Sequence, residues 1–155
     1  MTAPDAAPHP RRRLELFCDY AELERLHDFV QKIGEAENLD AHQIFALDLC
    51  LEEAVTNIIM HAGLKDRAGT LISVTLLCGA PELTFCLEDE GHPFDPTKVA
   101  ERPAPHSLEE APIGGVGLPL MRKLTTAMRY ERDSNRNRLF LQFGSRESRP
   151  DPANV

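Results

Sequence analysis

DAHQIFALDLCLEEAVTNIIMHA, residues 40–62, is the stretch from which the rest of the chain can be placed. It opens on a helix start signal. Asp40 can cap the first free amides, and Gln43 three residues later can reach back, as in a capping box. At about 100° per residue, Ile44, Leu47, Leu51, Val55 and Ile58 fall on one stripe, as expected of a helix laid on a sheet. The opposite arc carries Ala46, Cys50, Glu53, Asn57 and His61, small side chains followed by polar ones at successive i,i+4 steps. Glu53 and Asn57 lie one turn apart, so a carboxylate and a carboxamide oxygen can converge on one small volume. That pairing suits a general base beside a metal-ion ligand. A helix with a few polar residues on its wet side has the same pattern, and the helix alone does not separate the two.

Composition narrows the classes. With 155 residues and 42% hydrophobic side chains, the chain can bury one sizeable core and would be cramped as two domains. Seventeen basic against 25 acidic residues leave a net charge of −8, which argues against nucleic acid or an anionic membrane as the main partner. No apolar run approaches the roughly 20 residues of a spanning helix. Arg11–Arg13 are not followed by a signal-peptide core, so a cytoplasmic location is expected. Cys18, Cys50, Cys78 and Cys86 contain no CxxC pair and read as buried, reduced thiols.

Taken in order, residues 1–12 are proline-rich, without periodicity, and read as a disordered tail. Residues 13–18 alternate as a short strand. Asp19 can then cap a helix over 20–38 whose apolar positions are Leu23, Leu26, Phe29, Val30 and Ile33. After the central helix, residues 71–78 and 83–88 alternate on either side of a turn and predict an antiparallel hairpin. The second of these strands runs into Glu88-Asp89-Glu90-Gly91, a strand end beside glycine, where ligand contacts are common. Residues 92–113 hold five prolines and few apolar anchors, a length of irregular chain that is either functional or disordered. Gly114-Gly115-Val116-Gly117 then opens a helix through Leu118, Leu120, Met121 and Leu124, where backbone amides and the helix dipole favour phosphate oxygens. A last hairpin, 128–132 and 138–143 around Ser134 and Asn135, buries Leu139, Leu141 and Phe143, and residues 145–155 form a polar tail.

The order of these pieces resembles the GHKL ATPases, the superfamily of gyrase-type ATPase domains, histidine-kinase catalytic domains and the bacterial anti-sigma serine-protein kinases. Glu53-Ala54-Val55-Thr56-Asn57-Ile58-Ile59-Met60-His61 is similar to the N-box of the anti-sigma kinases. Asp89-Glu90-Gly91-His92-Pro93-Phe94-Asp95-Pro96 is similar to their G1 box, and Gly114-Gly115-Val116-Gly117-Leu118-Pro119-Leu120-Met121 to their G2 box. The likeness runs from about residue 14 to 143. It implies an α+β fold, a two-layer α/β sandwich of the Bergerat type. In it a mixed, mostly antiparallel sheet is covered on one face by about three helices, all within one domain over 13–144.

The resemblance also implies roles. Asn57 would hold the Mg2+ that bridges the phosphates of ATP, and Glu53 would be the general base. Asp89 would accept from the adenine amino group, with Gly91 allowing close approach of the base. His61 and Phe94 would line the site. Gly114, Gly115, Val116, Gly117 and Leu118 would meet the phosphates beneath a lid over 97–113, whose cationic candidates are Lys98, Arg102 and His106. The implied activity is transfer of the γ-phosphate to a serine or threonine of a STAS-domain anti-sigma-factor antagonist. The likeness also admits a sigma factor as partner and a homodimer as the assembled form. Two other readings are carried with it: an ATP-dependent binding module that moves no phosphate, and a stand-alone histidine-kinase-type catalytic domain.

Overall fold

The computed structural model describes residues 12–64, 69–99 and 117–144. Strand β1 (Arg12–Phe17) leads through a 3-10 turn (Tyr20–Glu22) into α1 (Leu23–Ala36), followed by α2 (Ala41–His61). Strands β2 (Leu71–Cys78) and β3 (Leu83–Asp89) come next, then a 3-10 turn (Pro96–Lys98), α3 (Gly117–Leu124), β4 (Ala127–Asp133) and β5 (Arg136–Phe143). The expected capping box is present: Gln43 N donates to Asp40 Oδ1 at 2.8 Å, and Asp40 N donates to Gln43 Oε1 at 2.9 Å.

Boundaries differ from the sequence reading where local hydrogen bonds intervene. Arg12 pairs with Leu76 and so belongs to β1 rather than to the tail. Cys18 drops out of the strand because Asp19 turns the chain, its side chain accepting from Ala21 N. Helix α1 stops at Ala36 rather than residue 38 because Asn38 adopts φ 53°. Leu39 N then donates to Gly34 O and Asn38 N to Glu35 O, a Schellman closure. The tails 1–11 and 145–155, and residues 100–113 of the expected lid, lie outside the described residues. No helix among the described residues is long and apolar enough to cross a membrane.

The five strands form one sheet in the order β1-β2-β3-β5-β4, with every pairing antiparallel. A mixed sheet was expected, and the topology explains the difference. The chain between β1 and β2 passes through α1 and α2 and returns with β2 antiparallel to β1. Strands β3 and β4 do run in the same direction across the α3 crossover, but β5 lies between them, and no parallel pair forms. The turn Ser134-Asn135 has φ 50° and 71°, the mirror-image turn whose twist suits a two-residue hairpin.

The helices cover one face. Leu26, Val30 and Ile33 of α1, Leu47, Leu51 and Val55 of α2, and Leu118 and Met121 of α3 join one core with the inward residues of the strands, Val74, Phe85, Leu87 and Leu141 among them. Each such side chain contributes on the order of 1.5–3 kcal/mol on burial. Because α2 lies between α1 and α3, its buried arc is wider than one stripe. Ala46 and Cys50, placed on the polar arc by the sequence, are therefore buried, while Ile44 and Ile58 are only partly so. The four cysteines form no disulfide. Cys50 and Cys86 are buried and Cys18 partly so, whereas Cys78, expected inside, is exposed at a strand end.

Candidate functional site

Asp89 closes β3 directly opposite Asn137 near the start of β5. Both point to the helix-covered side, where Asn57 comes down from α2. All three are buried, at 6%, 5% and 6% exposure for Asp89, Asn137 and Asn57. They line one small cavity with Ala54 and Ile58 above, Tyr130 and Leu139 on the sheet, and Phe94 at its edge. The Phe94 ring stacks on His61, with centroids 4.7 Å apart and planes inclined by 22°. His61 is exposed and, expected to line the site, reaches the cavity only through Phe94.

The Asp89 carboxylate is held from one side. Its Oδ1 accepts from Gly91 N at 2.8 Å and from Asn137 Nδ2 at 2.9 Å. Burial pushes its pKa up, against the opposing pull of the Asn137 and Gly91 hydrogen bonds and the Arg132 charge. Asn137 is clamped in turn: its Oδ1 accepts from Tyr130 Oη at 2.5 Å and Arg132 Nη1 at 2.8 Å.

Gly91 is needed for a different reason from the one the motif suggests. A β-carbon there would overlap Ala62 at the end of α2, and His92 N donates to Ala62 O at 2.9 Å. The missing side chain lets β3 leave the sheet against the helix terminus, and Gly91 does not line the Asp89 cavity. Beyond it, Asp95 Oδ1 accepts from Thr97 N at 2.9 Å and from Thr97 Oγ1 at 2.5 Å. Arg122 Nη2 donates to Val99 O at 2.5 Å. Residues 97–99 are thus tied down rather than part of a free lid, and Lys98 is exposed.

One turn before Asn57, the Glu53 carboxylate packs on the Cα of Gly117, where α3 begins; a β-carbon at Gly117 would fall on it. Burial, and secondarily the neighbouring Glu52, push the Glu53 pKa up, which makes it a stronger base. Leu118, expected at the phosphates, is buried at 8% exposure and its side chain belongs to the core. This is what amphipathic packing of a short helix demands. Gly114, Gly115 and Val116 lie outside the described residues.

The donor set fits a nucleotide-borne magnesium. Among the described residues no cluster of three or more His, Cys, Asp and Glu could hold a metal. Mg2+ usually keeps several waters and takes one or two protein oxygens plus phosphates. A single buried carboxamide, Asn57, is a ligand of that kind.

The described histidine kinase-like ATPase domain matches residues 18–143 of this sequence. The chain belongs to this family. Within the wider comparison, the serine/threonine-protein kinase BtrW of Bordetella bronchiseptica is 34% identical over 113 residues, which cover 73% of this chain and 79% of the relative. The serine-protein kinase RsbW of Bacillus licheniformis is 29% identical over 113 residues, 70% of each chain. A histidine kinase domain from the blue-light activated histidine kinase of Erythrobacter litoralis EL346 is similar with TM-score 0.48 and 16% identity. That likeness covers 79% of this chain and 59% of the other.

The histidine kinase-like ATPase domain motifs led to Asp89 and Asn57 but not to the clamp behind them. Asn137, Tyr130 and Arg132 were not assigned to the site, although a signal existed. The period-2 alternation of Leu139, Leu141 and Phe143, carried back one step, puts Asn137 on the inward face. A buried carboxamide there calls for partners.

Proposed function

We propose that this chain is an ATP-dependent serine/threonine protein kinase of the anti-sigma regulatory type, acting on a serine or threonine of a STAS-domain antagonist. The observation that carries the reading is one arrangement. A buried carboxylate with a free edge lies at a strand end, a buried carboxamide lies above it, and a second carboxylate sits one turn earlier on the same helix, against the start of α3.

In this reading the Asp89 oxygen not held by Gly91 and Asn137 accepts from the adenine amino group, and Phe94 covers the base. Asn57 would hold the Mg2+, which would supply neutralisation of charge on the phosphates. Glu53 takes the proton of the attacking hydroxyl. Phosphoryl transfer needs mainly positioning and electrostatic stabilisation, and these residues sit on three packed elements that supply it. The kinase names of two relatives support the same reading. The protein acts in the cytoplasm, where such an antagonist and a sigma factor are found.

The test is transfer of label from γ-labelled ATP with magnesium to a purified STAS-domain antagonist. Wild type should label a serine or threonine of the antagonist, and Glu53→Gln should bind nucleotide yet transfer about 10²- to 10⁴-fold more slowly. Equal transfer by the two proteins would refute the role of Glu53. Nucleotide-dependent capture of the antagonist without transfer would instead identify a binding module.

A further inference from the structure

The amide of Asn137 can sit only one way round. Its Nδ2 donates to Asp89 Oδ1 at 2.9 Å, to His92 O at 3.0 Å and to Gly91 O at 3.3 Å. Its Oδ1 receives Tyr130 Oη and Arg132 Nη1. A flipped amide would set its oxygen against a carboxylate and two carbonyls, and its NH2 against two donors. Arg132 Nη1 also donates to Gly91 O at 2.9 Å, which ties the same guanidinium to the chain just past Asp89. Tyr130 is half-buried and Arg132 exposed, each on the inward side of β4, the strand next to β5. Neither touches Asp89 by a hydrogen bond.

The consequence lies at the cavity. With Asn137 Nδ2 and Gly91 N both directed to Oδ1, the other oxygen of Asp89 is left to face the cavity as an acceptor, and the Asn137 NH2 is occupied behind it. A purine carrying an amino group at C6 finds a complementary acceptor there. A purine carrying a 6-oxo group brings an acceptor against that acceptor. Without Tyr130 and Arg132 the Asn137 Oδ1 loses both its donors, so the amide can shift, and the Asp89 carboxylate that its Nδ2 holds no longer presents a fixed acceptor to a 6-amino group.

We propose that Tyr130 and Arg132 are positioning residues that set base selectivity, fixing the Asn137 amide so that the cavity accepts a 6-aminopurine and rejects a 6-oxopurine. The inference rests on the nucleotide-site reading given above and adds its specificity device. A discriminating hydrogen bond of this type changes relative affinity by about three- to tenfold.

The experiment compares calorimetric affinities for Mg-ATP and Mg-ITP, which differ at C6, in the full chain. The proteins are wild type, Tyr130→Phe, Arg132→Met, the double variant and Arg132→Lys. Wild type should prefer ATP. Tyr130→Phe and Arg132→Met should each narrow the ATP/ITP ratio about three- to tenfold, the double variant more, and Arg132→Lys, which keeps a donor, should hold most of it. Variants that weaken ATP and ITP by the same factor would reduce the two residues to structural support and overturn the proposal, as would an unchanged ratio. Tyr130→Phe keeps the ring, so its folding, checked by melting temperature, protects the comparison from trivial loss. A wild-type chain that binds neither nucleotide would fail the nucleotide-site reading itself. One that prefers ATP, with variants equally selective, would fail only the assignment to Tyr130 and Arg132.

Discussion

Replacing Gly117 by alanine tests whether the Glu53 carboxylate is placed by the start of α3. A β-carbon at 117 would lie 2.9 Å from Glu53 Cγ and closer still to the carboxylate, against an ordinary contact of 3.4–4 Å. The Cγ must therefore retreat by about half an ångström and the carboxylate by more, on the order of 1 Å, a misplacement that costs about 10²-fold in rate at a reacting centre. The folded state should hardly notice. The displaced group is the end of a flexible side chain, and Gly→Ala at a compatible helical position gains about 0.4–1 kcal/mol through the unfolded chain. Gly117→Ala should thus melt at or slightly above the wild-type temperature, bind Mg-ATP nearly as wild type, and transfer phosphate about 10²-fold more slowly in single-turnover labelling. The double variant with Glu53→Gln should lose little beyond Glu53→Gln alone, since two changes acting through one group are not additive. Wild-type transfer by Gly117→Ala, or fully additive losses, would refute the reasoning. A selective loss of Mg-ATP affinity would mean that the glycine serves the phosphates and not Glu53.

Three further outcomes are expected. Asn57→Ala should weaken nucleotide binding in magnesium far more than in its absence, because it removes a neutral oxygen ligand from a hard cation; equal weakening with and without the metal, read by calorimetry, would speak against that role. Asp89→Asn should cost about 1.5–3 kcal/mol of ATP affinity, the worth of a hydrogen bond to a charged group, and unchanged affinity would remove Asp89 from base recognition. On the outer side of the helices, His27 Nδ1 lies 2.6 Å from Asp48 Oδ1, and that hydrogen bond pushes the His27 pKa above 6.5 against the lowering effect of burial, with further help from the charges of Asp48, Glu52 and Asp28. A histidine whose folded pKa is raised adds stability that is complete below its unfolded value and lost as pH rises through the folded one. Asp48→Asn should therefore narrow the gap in denaturant stability to wild type as pH rises, by a small amount because the ring is 39% exposed; a gap independent of pH would contradict the pairing.

Much of this could be read from residues alone, for reasons that differ by element. The α2 start was legible because a capping box is a local hydrogen-bond pattern, and the hairpins were legible because alternation is a local consequence of the pleat. The sheet order was not, since nothing in the sequence of β5 states that it will slip between β3 and β4. The Schellman end of α1 turned on a single left-handed asparagine, which looks like any helix residue until the chain turns. Asp89 and Asn57 could be singled out because their residue types stand in short motifs, and the structure places both at one small cavity. The reason for Gly91 and the core placement of Leu118 were missed because both depend on what α2 does above them. Asn137 could be seen on the last hairpin but not given a role: it sits where an inward aliphatic residue would be expected, and its partners Tyr130 and Arg132 come from the neighbouring strand.

The Asp89↔Asn137 pairing is also the last rung of the β3–β5 ladder on that side. Ladder ends fray, opening and closing on their own with a free energy far below that of global unfolding. A base that grips Asp89 therefore does not merely occupy a cavity; it staples the open end of a zipper. Occupancy should appear as slowed amide exchange at the β3 terminus and the start of β5, while the middle of the sheet, already closed, keeps its rate.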